Sequence, residues 1–395
     1  MQASDLDLLQ EPAALKLLRR CARGEAAAPA GDSSDRRERL LAAQMALRQR
    51  AAVKLPSWSD SDALYDARAL EQCSGEGPAR FKAAVIHGER LADLTLGLGV
   101  DSAWCASGFA HAVGCERDPV LARLAAHDCL CHGAEVAVQV RNASDWLGEQ
   151  TADSWDWLLV DPDRRVQGRR VCDPGAGSPD LPACWPALRR CARGVMAKLA
   201  PGCRLASVSA VLPGLTRLIV LSWRGECREV LAVAGERPQA LRLEAVVVDT
   251  TGAVMCQVGA DDPACARVAA VPGALIGIPD PAIAKAGLQG QLAAQCDATL
   301  LDAPGRLLSA TAADAQAGVR WHVVETVVAA KAKPVRAALR RLDAPRARVM
   351  SFAPRLGALE LQRRLGVREG GAVFVVVYRD GRERLQAALT RPVAP

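Results

Sequence analysis

Apolar positions fall in three different rhythms along the chain. Near the start they recur every three or four residues: Leu8, Leu9, Leu15 and Leu18, then Leu40, Leu41, Met45 and Leu47. That is the spacing of one face of an amphipathic helix. Residues 24–35 (GEAAAPAGDSSD) lie between the two stretches and read as a flexible linker of small and turn-forming residues. Lys54-Leu55-Pro56-Ser57-Trp58 ends the second helix, because the proline ring excludes helical backbone for the residue before it. Residues 1–82 are expected to form a helical region.

From about residue 84 short apolar runs alternate with helical patterns. Strands are expected at 92–96, 112–115, 136–140, 157–160 and 194–199, and helices near 101–107, at 119–131 and at 181–192. Trp157-Leu158-Leu159-Val160 is apolar throughout, as a strand covered on both faces must be. This alternation predicts an α/β fold, a Rossmann-like open parallel sheet with helices on both faces. After residue 217 the rhythm is strand alone. Arg224-Gly225 joins runs at 218–223 and 226–233, and Thr250-Thr251-Gly252 joins runs at 245–249 and 253–258, each read as a hairpin. A loop at 261–272 suggests a boundary. Beyond it come helix 281–294, strand 321–324, helix 334–342, strand 347–351, helix 356–365 and a hairpin about Asp380-Gly381. The expected organisation is a helical region at 1–82, an α/β domain at 83–260 and a smaller α/β domain at 271–395, with no internal repeat.

Composition narrows the function classes. A length of 395 residues suits two or three domains, and a half-apolar composition fills packed cores. No apolar run approaches the roughly 18 residues of a membrane span. The first seven residues, MQASDLD, are acidic where a secretory signal is basic, so a cytoplasmic protein is expected. The 14 cysteines are scattered without a Cys-x-x-Cys pair and read as reduced, mostly buried thiols. His127, Cys129, Cys131 and His132 lack zinc-site spacing and read as a helix and its end, so no metal is expected. Net charge is +6, with 43 Arg against 7 Lys. Residues 331–395 carry 15 basic against 5 acidic side chains, an excess of +10 on a chain whose remainder stands at −4. Nothing in the sequence marks an oligomeric state.

The chemistry-bearing motifs sit at the ends of the expected strands. Asp93-Leu94-Thr95-Leu96-Gly97-Leu98-Gly99 places an acid on the first strand and glycines in the turn after it, where a ligand can approach bare backbone. The Gly-x-Gly spacing lacks the third glycine of the dinucleotide fingerprint, which disfavours a nicotinamide dehydrogenase. Glu116 ends the second strand about twenty residues on, where a carboxylate can accept both hydroxyls of a ribose. Asp118, before Pro119, is the natural cap of the following helix. Asp145 follows the third strand and can accept from an exocyclic adenine amine, with Trp146 beside it as a stacking surface. The fourth strand ends in Asp161-Pro162-Asp163-Arg164-Arg165 and the fifth near Lys198. Acids at three successive strand ends favour a purine nucleoside cofactor, although each alone is also an ordinary cap or turn residue.

The ordered set Asp93, Gly97-x-Gly99, Glu116, Asp145 and Asp161-Pro162 resembles the class I S-adenosylmethionine-dependent methyltransferases. More narrowly, the chain from about residue 40 onward resembles bacterial proteins that join such a domain to a C-terminal THUMP-like domain. The supporting stretches are Lys54-Leu55-Pro56-Ser57-Trp58, Leu70-Glu71-Gln72-Cys73-Ser74, Asp93-Leu94-Thr95, Gly97-Leu98-Gly99-Val100-Asp101-Ser102, Met196-Ala197-Lys198-Leu199-Ala200-Pro201-Gly202 and Gly225-Glu226-Cys227-Arg228-Glu229. The resemblance implies S-adenosyl-L-methionine as cofactor. Asp93, Thr95, Gly97 and Gly99 would hold its methionine end, Glu116 the ribose and Asp145 the adenine. Asp161 would stand where cofactor and acceptor meet. Asp163 stands where the family pattern has alanine. The Asp/Asn-Pro-Pro-aromatic motif of amino-group methylases and the paired cysteine loops of cytosine-C5 enzymes are both missing, so the target atom stays open.

Methyl transfer needs alignment more than covalent catalysis, since the sulfonium already carries an activated methyl. Asp161 is the expected proton or hydrogen-bond acceptor, with Asp163 second. Lys198 either neutralises developing charge or caps carbonyls. The substrate expected is structured RNA, tRNA or rRNA, gripped by Arg164 and Arg165 and by Arg355, Arg363 and Arg364 of the basic region. Arg169 and Arg170 extend the first group, and Gly370-Gly371 can form a backbone anion nest. The alternatives are a small-molecule or protein methyltransferase on the same fold, or a non-catalytic RNA-binding protein.

Overall fold

A computed structural model describes the chain apart from residues 60, 164, 167–168, 171–174, 176, 236–238, 303–304, 313–316 and 394–395, and apart from the side chains of residues 165, 166, 169 and 170. The described chain divides into two compact units. The first comprises Met1–Trp223, Arg228–Leu241 and Val248–Val254; the second comprises Arg224–Cys227, Arg242–Val247 and Met255–Pro395.

The first unit opens with five helices, α1 (Ala3–Leu9), α2 (Pro12–Ala22), α3 (Arg36–Lys54), α4 (Ala67–Gln72) and α5 (Glu76–Val85). Asp35 caps α3 by accepting from the Arg37 N–H, and Pro56 follows its end. Leu41, Met45 and Ala51 of α3 are buried together with two polar residues on the same face, Gln44 and Arg48. These are satisfied by backbone. Gln44 exchanges two hydrogen bonds with Tyr65, at 2.8 and 2.9 Å, and Arg48 donates to the carbonyls of Ser59, Ser61 and Ala63. The face of α3 thereby fixes the extended segment that leads to α4.

The sheet follows: β1 (Gly88–Asp93), α6 (Val100–Cys105), β2 (Phe109–Glu116), α7 (Pro119–Cys131), β3 (Ala137–Val140), α8 (Ala143–Gly148), β4 (Trp155–Val160), the short pair β5 (Arg165–Val166) and β6 (Arg169–Arg170), α9 (Leu181–Cys191), β7 (Ala192–Leu199), α10 (Leu205–Val211), β8 (Arg217–Trp223) and β9 (Glu226–Ala234). The strands lie in the order β3-β2-β1-β4-β7-β9-β8. The first five are parallel and β9 runs antiparallel to β7. This is the Rossmann-like sheet the apolar runs predict. β1 starts earlier than its apolar run, at Gly88, because its first three residues are exposed and carry no hydrophobic signal. Gly194 of β7 lies under the Trp157 ring, where a Cβ would come within 2.6 Å of it. Arg224 and Gly225 turn β8 into β9 with φ of 55° and 72°, the left-handed pair a two-residue hairpin needs.

The strands β10 (Arg242–Val248) and β11 (Val254–Gly259) come next, and the second unit is then built on β12 (Leu275–Pro279), α11 (Pro281–Ala286), α12 (Gln289–Gln295), β13 (Thr299–Leu300), β14 (Leu308–Ala310), β15 (Val319–Ala329), α13 (Ala332–Arg341), β16 (Ala347–Ser351), α14 (Ala358–Leu365), β17 (Val373–Arg379) and β18 (Leu385–Pro392). Seven of these strands form one sheet, β13-β14-β12-β15-β18-β17-β16. The single helix expected at 281–294 is two helices, because Gly287 adopts φ +74° and ends α11. β15 is far longer than the expected 321–324. It pairs β12 at one end and β18 along the rest, with a bulge between Val324 and Thr326, and its exposed alternate residues hide it from a search for apolar runs. Val373, Val375, Val377, Ala387 and Leu389 pack with α13 and α14 on one face, while Val376, Tyr378 and Ala388 pack with Ile276 and Ile278 on the other. Two covered faces explain why the 372–377 run does not alternate.

Asp380 closes the β17–β18 hairpin. Its carboxylate accepts from the Arg382 and Arg384 N–H groups, from Arg384 Nε and from Gln386 Nε2, at 2.9–3.0 Å. Burial opposes its charge, but these donors outweigh burial and hold the carboxyl well below the usual range. Its stabilising effect is therefore present above the unfolded value near 4 and lost as pH falls below it. Asp380→Asn is expected to cost about 1–3 kcal/mol at neutral pH, with the difference from wild type closing below about pH 4, as read by urea denaturation across pH.

Candidate functional site

Parallel strands end at the same edge of their sheet. β3, β2, β1, β4 and β7 therefore bring Asp145, Glu116, Asp93, Asp161 and Lys198 to one edge in that spatial order. The loop after β1 lies at the middle of this edge. Asp93 is buried, accepting from the Thr95 N–H at 3.0 Å and from Ser102 Oγ at 2.7 Å. Gly97 and Gly99 both have positive φ, +57° and +80°, and a Cβ on Gly99 would stand 3.0 Å from Cys129 Sγ. Across the loop, Glu116 accepts from the Gly97 N–H at 3.0 Å with one oxygen and from the Asp118 N–H at 2.9 Å with the other. Each oxygen keeps acceptor capacity. Asp118 caps α7 as expected, accepting from the Val120 and Leu121 N–H groups.

On the other side of the loop, Thr95 Oγ1 accepts from the Asp161 N–H at 2.6 Å, coupling β1 to the end of β4. Asp161 Oδ2 lies 2.5 Å from Lys198 Nζ. Burial works against the Lys198 charge, but Asp161, Asp101 and Glu229 more than offset it, so Lys198 remains an ammonium and a donor. The structure thus brings Asp93, Thr95, Gly97, Gly99, Glu116, Asp161 and Lys198 into one hydrogen-bonded edge. Asp163 is placed differently from Asp161. It pairs with Arg68 at 3.2 Å and Arg117 at 3.8 Å, and bridges to Ser178 through backbone. Asp145 is exposed in the first turn of α8, which Asn142 caps. Trp146 is no stacking surface: it is buried against Trp155 at 5.2 Å between ring centroids.

Four groups at this edge escaped the sequence reading. Ser74, Lys82, Asp101 and Glu229 form a network of hydrogen bonds and ion pairs that reaches Lys198 through Ser74. Lys82 carried a usable signal, a lysine inside the apolar run Phe81-Lys82-Ala83-Ala84-Val85. Glu229 adjoins an apolar strand in the same way.

Arg164 lies outside the described residues, as do the side chains of Arg165, Arg169 and Arg170. In the second unit Arg355 is exposed at φ +62°, and Arg363 and Arg364 are exposed in the last turn of α14, Arg364 pairing with Glu360 at 3.4 Å. The histidine and cysteine cluster is the end of α7: His132 stacks on Trp58 at 4.0 Å and Cys129 is buried. Among the described residues no helix is long and apolar enough to cross a membrane.

No protein-family model matches the chain. A crystal structure described as "putative methyltransferase from Porphyromonas gingivalis W83" superposes with a TM-score of 0.78 at 21% identity, over 97% of this chain and 99% of that one. The fold is a Rossmann-like methyltransferase fold. Uncharacterized S-adenosylmethionine-dependent methyltransferases of two Mycobacterium tuberculosis strains, CDC 1551 and H37Rv, are 29% identical over 340 residues, which is 85% of this chain and 91% of theirs.

Burial pushes the Asp93 carboxyl up to about 6, against the two hydrogen bonds that favour its charge. A folded-state value above the unfolded one means that the native state holds the proton more tightly. Stability is therefore expected to fall as pH rises from about 4 to about 6. Asp93→Asn is expected to remove that fall; a denaturation series from pH 4 to pH 7 on both proteins checks it.

Proposed function

We propose that this chain transfers a methyl group from S-adenosylmethionine to a nucleotide of structured RNA, tRNA or rRNA, held by residues 271–395 as a THUMP-like module. The chain is an S-adenosylmethionine-dependent methyltransferase: its fold and relatives that match most of its length agree. The placement of cofactor and acceptor at this edge is supported above all by one juxtaposition. Glu116 and Asp161 flank the Gly97 turn, one tied to it through the Gly97 N–H and the other through Thr95.

The residues present suit the cofactor. Gly97 and Gly99 bare the backbone for close approach, and Glu116 retains lone pairs for a pair of ribose hydroxyls. Asp93 and Thr95 shape the turn at the methionine end, and Asp145 stands one strand beyond Glu116 for the adenine. Bound there, S-adenosylmethionine supplies an activated methyl on a sulfonium. Asp161 accepts a proton or hydrogen bond from the attacking atom, and Lys198, a fixed donor, holds that carboxylate in place. Asp163, tied to Arg68 and Arg117, serves to fasten the segment after β4.

RNA is favoured by charge. The +10 excess of residues 331–395 includes exposed Lys333, Arg336 and Arg340 at helical spacing on α13, Arg346 just before the edge strand β16 and Arg348 on it, and Arg355, Arg363 and Arg364.

The test is transfer of labelled methyl from S-adenosylmethionine to RNA from cells lacking the protein, followed by nucleoside mass spectrometry. A new methylated nucleoside is expected; label appearing only in protein or small molecules would overturn the RNA reading. In the same assay Asp161→Asn is expected to lower kcat while leaving cofactor Kd within about twofold, and Glu116→Ala to weaken cofactor binding by about 1–3 kcal/mol in calorimetry. RNA affinity is expected to fall with salt at a log–log slope of magnitude about 3–5. Replacing Arg355, Arg363 and Arg364 together by Ala is expected to flatten that slope by roughly 2.

A further inference from the structure

Ser74 stands in the turn between α4 and α5, ahead of the sheet, yet its hydroxyl lies among the charges at the sheet edge. It donates to Asp101 Oδ2 at 2.8 Å and accepts from Lys82 Nζ at 2.8 Å and Lys198 Nζ at 3.2 Å. A hydroxyl has one proton and two lone pairs, so these three contacts use it completely. Lys82 is fully buried and also pairs with Asp101 Oδ1 and Glu229 Oε1, each at 2.9 Å. Burial opposes its charge, while Asp101 and Glu229 outweigh burial and keep it an ammonium. The turn itself is moulded to one tryptophan. A Cβ on Gly75 would lie 2.4 Å from the Trp223 ring, and one on Gly77 would lie 2.7 Å from its indole nitrogen and 2.3 Å from the Asp249 carbonyl.

This arrangement has a direction. Lys82 is held by Asp101 and Glu229, Ser74 is held by Lys82 and Asp101, and Lys198 is held by Ser74 on one side and Asp161 on the other. We infer that Ser74 and Lys82 are positioning residues for methyl transfer, fixing the Lys198 ammonium so that Asp161 presents one orientation to the acceptor. The inference rests on the proposed role of Asp161 at the acceptor. Neither lysine touches the reacting atoms on this account; both act through Asp161. Alignment within a fraction of an ångström governs an in-line transfer, so loosening the far end of such a chain lowers the chemical step without touching the cofactor.

The first measurement needs no substrate. In nitrogen-15 spectra of the full chain, Lys82 and Lys198 are expected to give slowly exchanging ammonium signals. Ser74→Ala is expected to abolish the Lys198 signal while cooperative melting persists and cofactor Kd stays within about twofold. The second is single-turnover methyl transfer to RNA from cells lacking the protein. Ser74→Ala is expected to lower that rate on the order of tenfold in the wild-type background, and by no more than about twofold in the Asp161→Asn background, because a residue acting through Asp161 loses its effect once that carboxylate is gone. An equal factor in both backgrounds, or a retained Lys198 signal in Ser74→Ala, would overturn the inference. If the wild-type protein methylates no RNA, the RNA reading fails, and the ammonium signals still decide whether Ser74 holds Lys198.

Discussion

Two lysine ammoniums are buried where the N-terminal helices meet the sheet, and much of the first unit follows from keeping them charged. Dehydrating an ammonium costs several kcal/mol unless anions and acceptors replace its water. Lys82 and Lys198 meet that demand with Asp101, Glu229, Asp161 and Ser74, drawn from α6, β9, the end of β4 and the α4–α5 turn. Each partner comes from a different element, so the charges can be satisfied only when those elements are all in place. Such a network adds little net stability over apolar packing, yet removing one member strands the rest. Its value lies in specifying a single geometry at the edge where methyl transfer is proposed.

The other constraint is the direction of the strands. Because β3, β2, β1, β4 and β7 are parallel, residues scattered over a hundred positions of sequence end at one edge, and short hydrogen bonds lock neighbours together. Glu116 holds the Gly97 turn, and Thr95 holds Asp161. The proposed cofactor and acceptor ends are thus one connected structure with the β1 loop between them. Asp93, buried beneath that loop, orients it through Thr95 and Ser102.

This division explains what was legible in the sequence. The proposed cofactor side is local: an acid, a glycine turn and a second acid about twenty residues on, each announced by its own neighbours. Strands covered on both faces, such as β4, were equally plain. Where strand bounds and structure parted, exposure was the reason. β1 begins with three exposed residues, and β15 alternates along most of its length. Gly287 split a helix whose apolar pattern runs straight through it, because pattern records burial and not φ. Trp146 looked like a stacking ring beside Asp145, but an aromatic one residue on from an exposed position in a helix points elsewhere, and here into Trp155.

The proposed acceptor side was legible only in Asp161 and Lys198, for a different reason. No window of sequence contains Ser74, Lys82, Asp101, Asp161, Lys198 and Glu229 together; Asp161 and Lys198 stood out at their strand ends, but nothing along the chain joins the other four to them. The stretches that carry the family resemblance nonetheless meet there. Ser74 ends one, Asp101 and Lys198 lie within two others, and Glu229 ends a fourth. Those stretches look unrelated along the chain because their common constraint is a set of buried charges that must be satisfied at one point. The helices ahead of the sheet belong to that constraint as fully as the strands do. Their turn, shaped by two glycines against Trp223, carries a neutral group that both lysines share. On the proposed assignment, that turn gives Lys198 a hydrogen-bonded hold opposite Asp161, in addition to the attraction of Asp101 and Glu229, and so fixes the direction of that carboxylate.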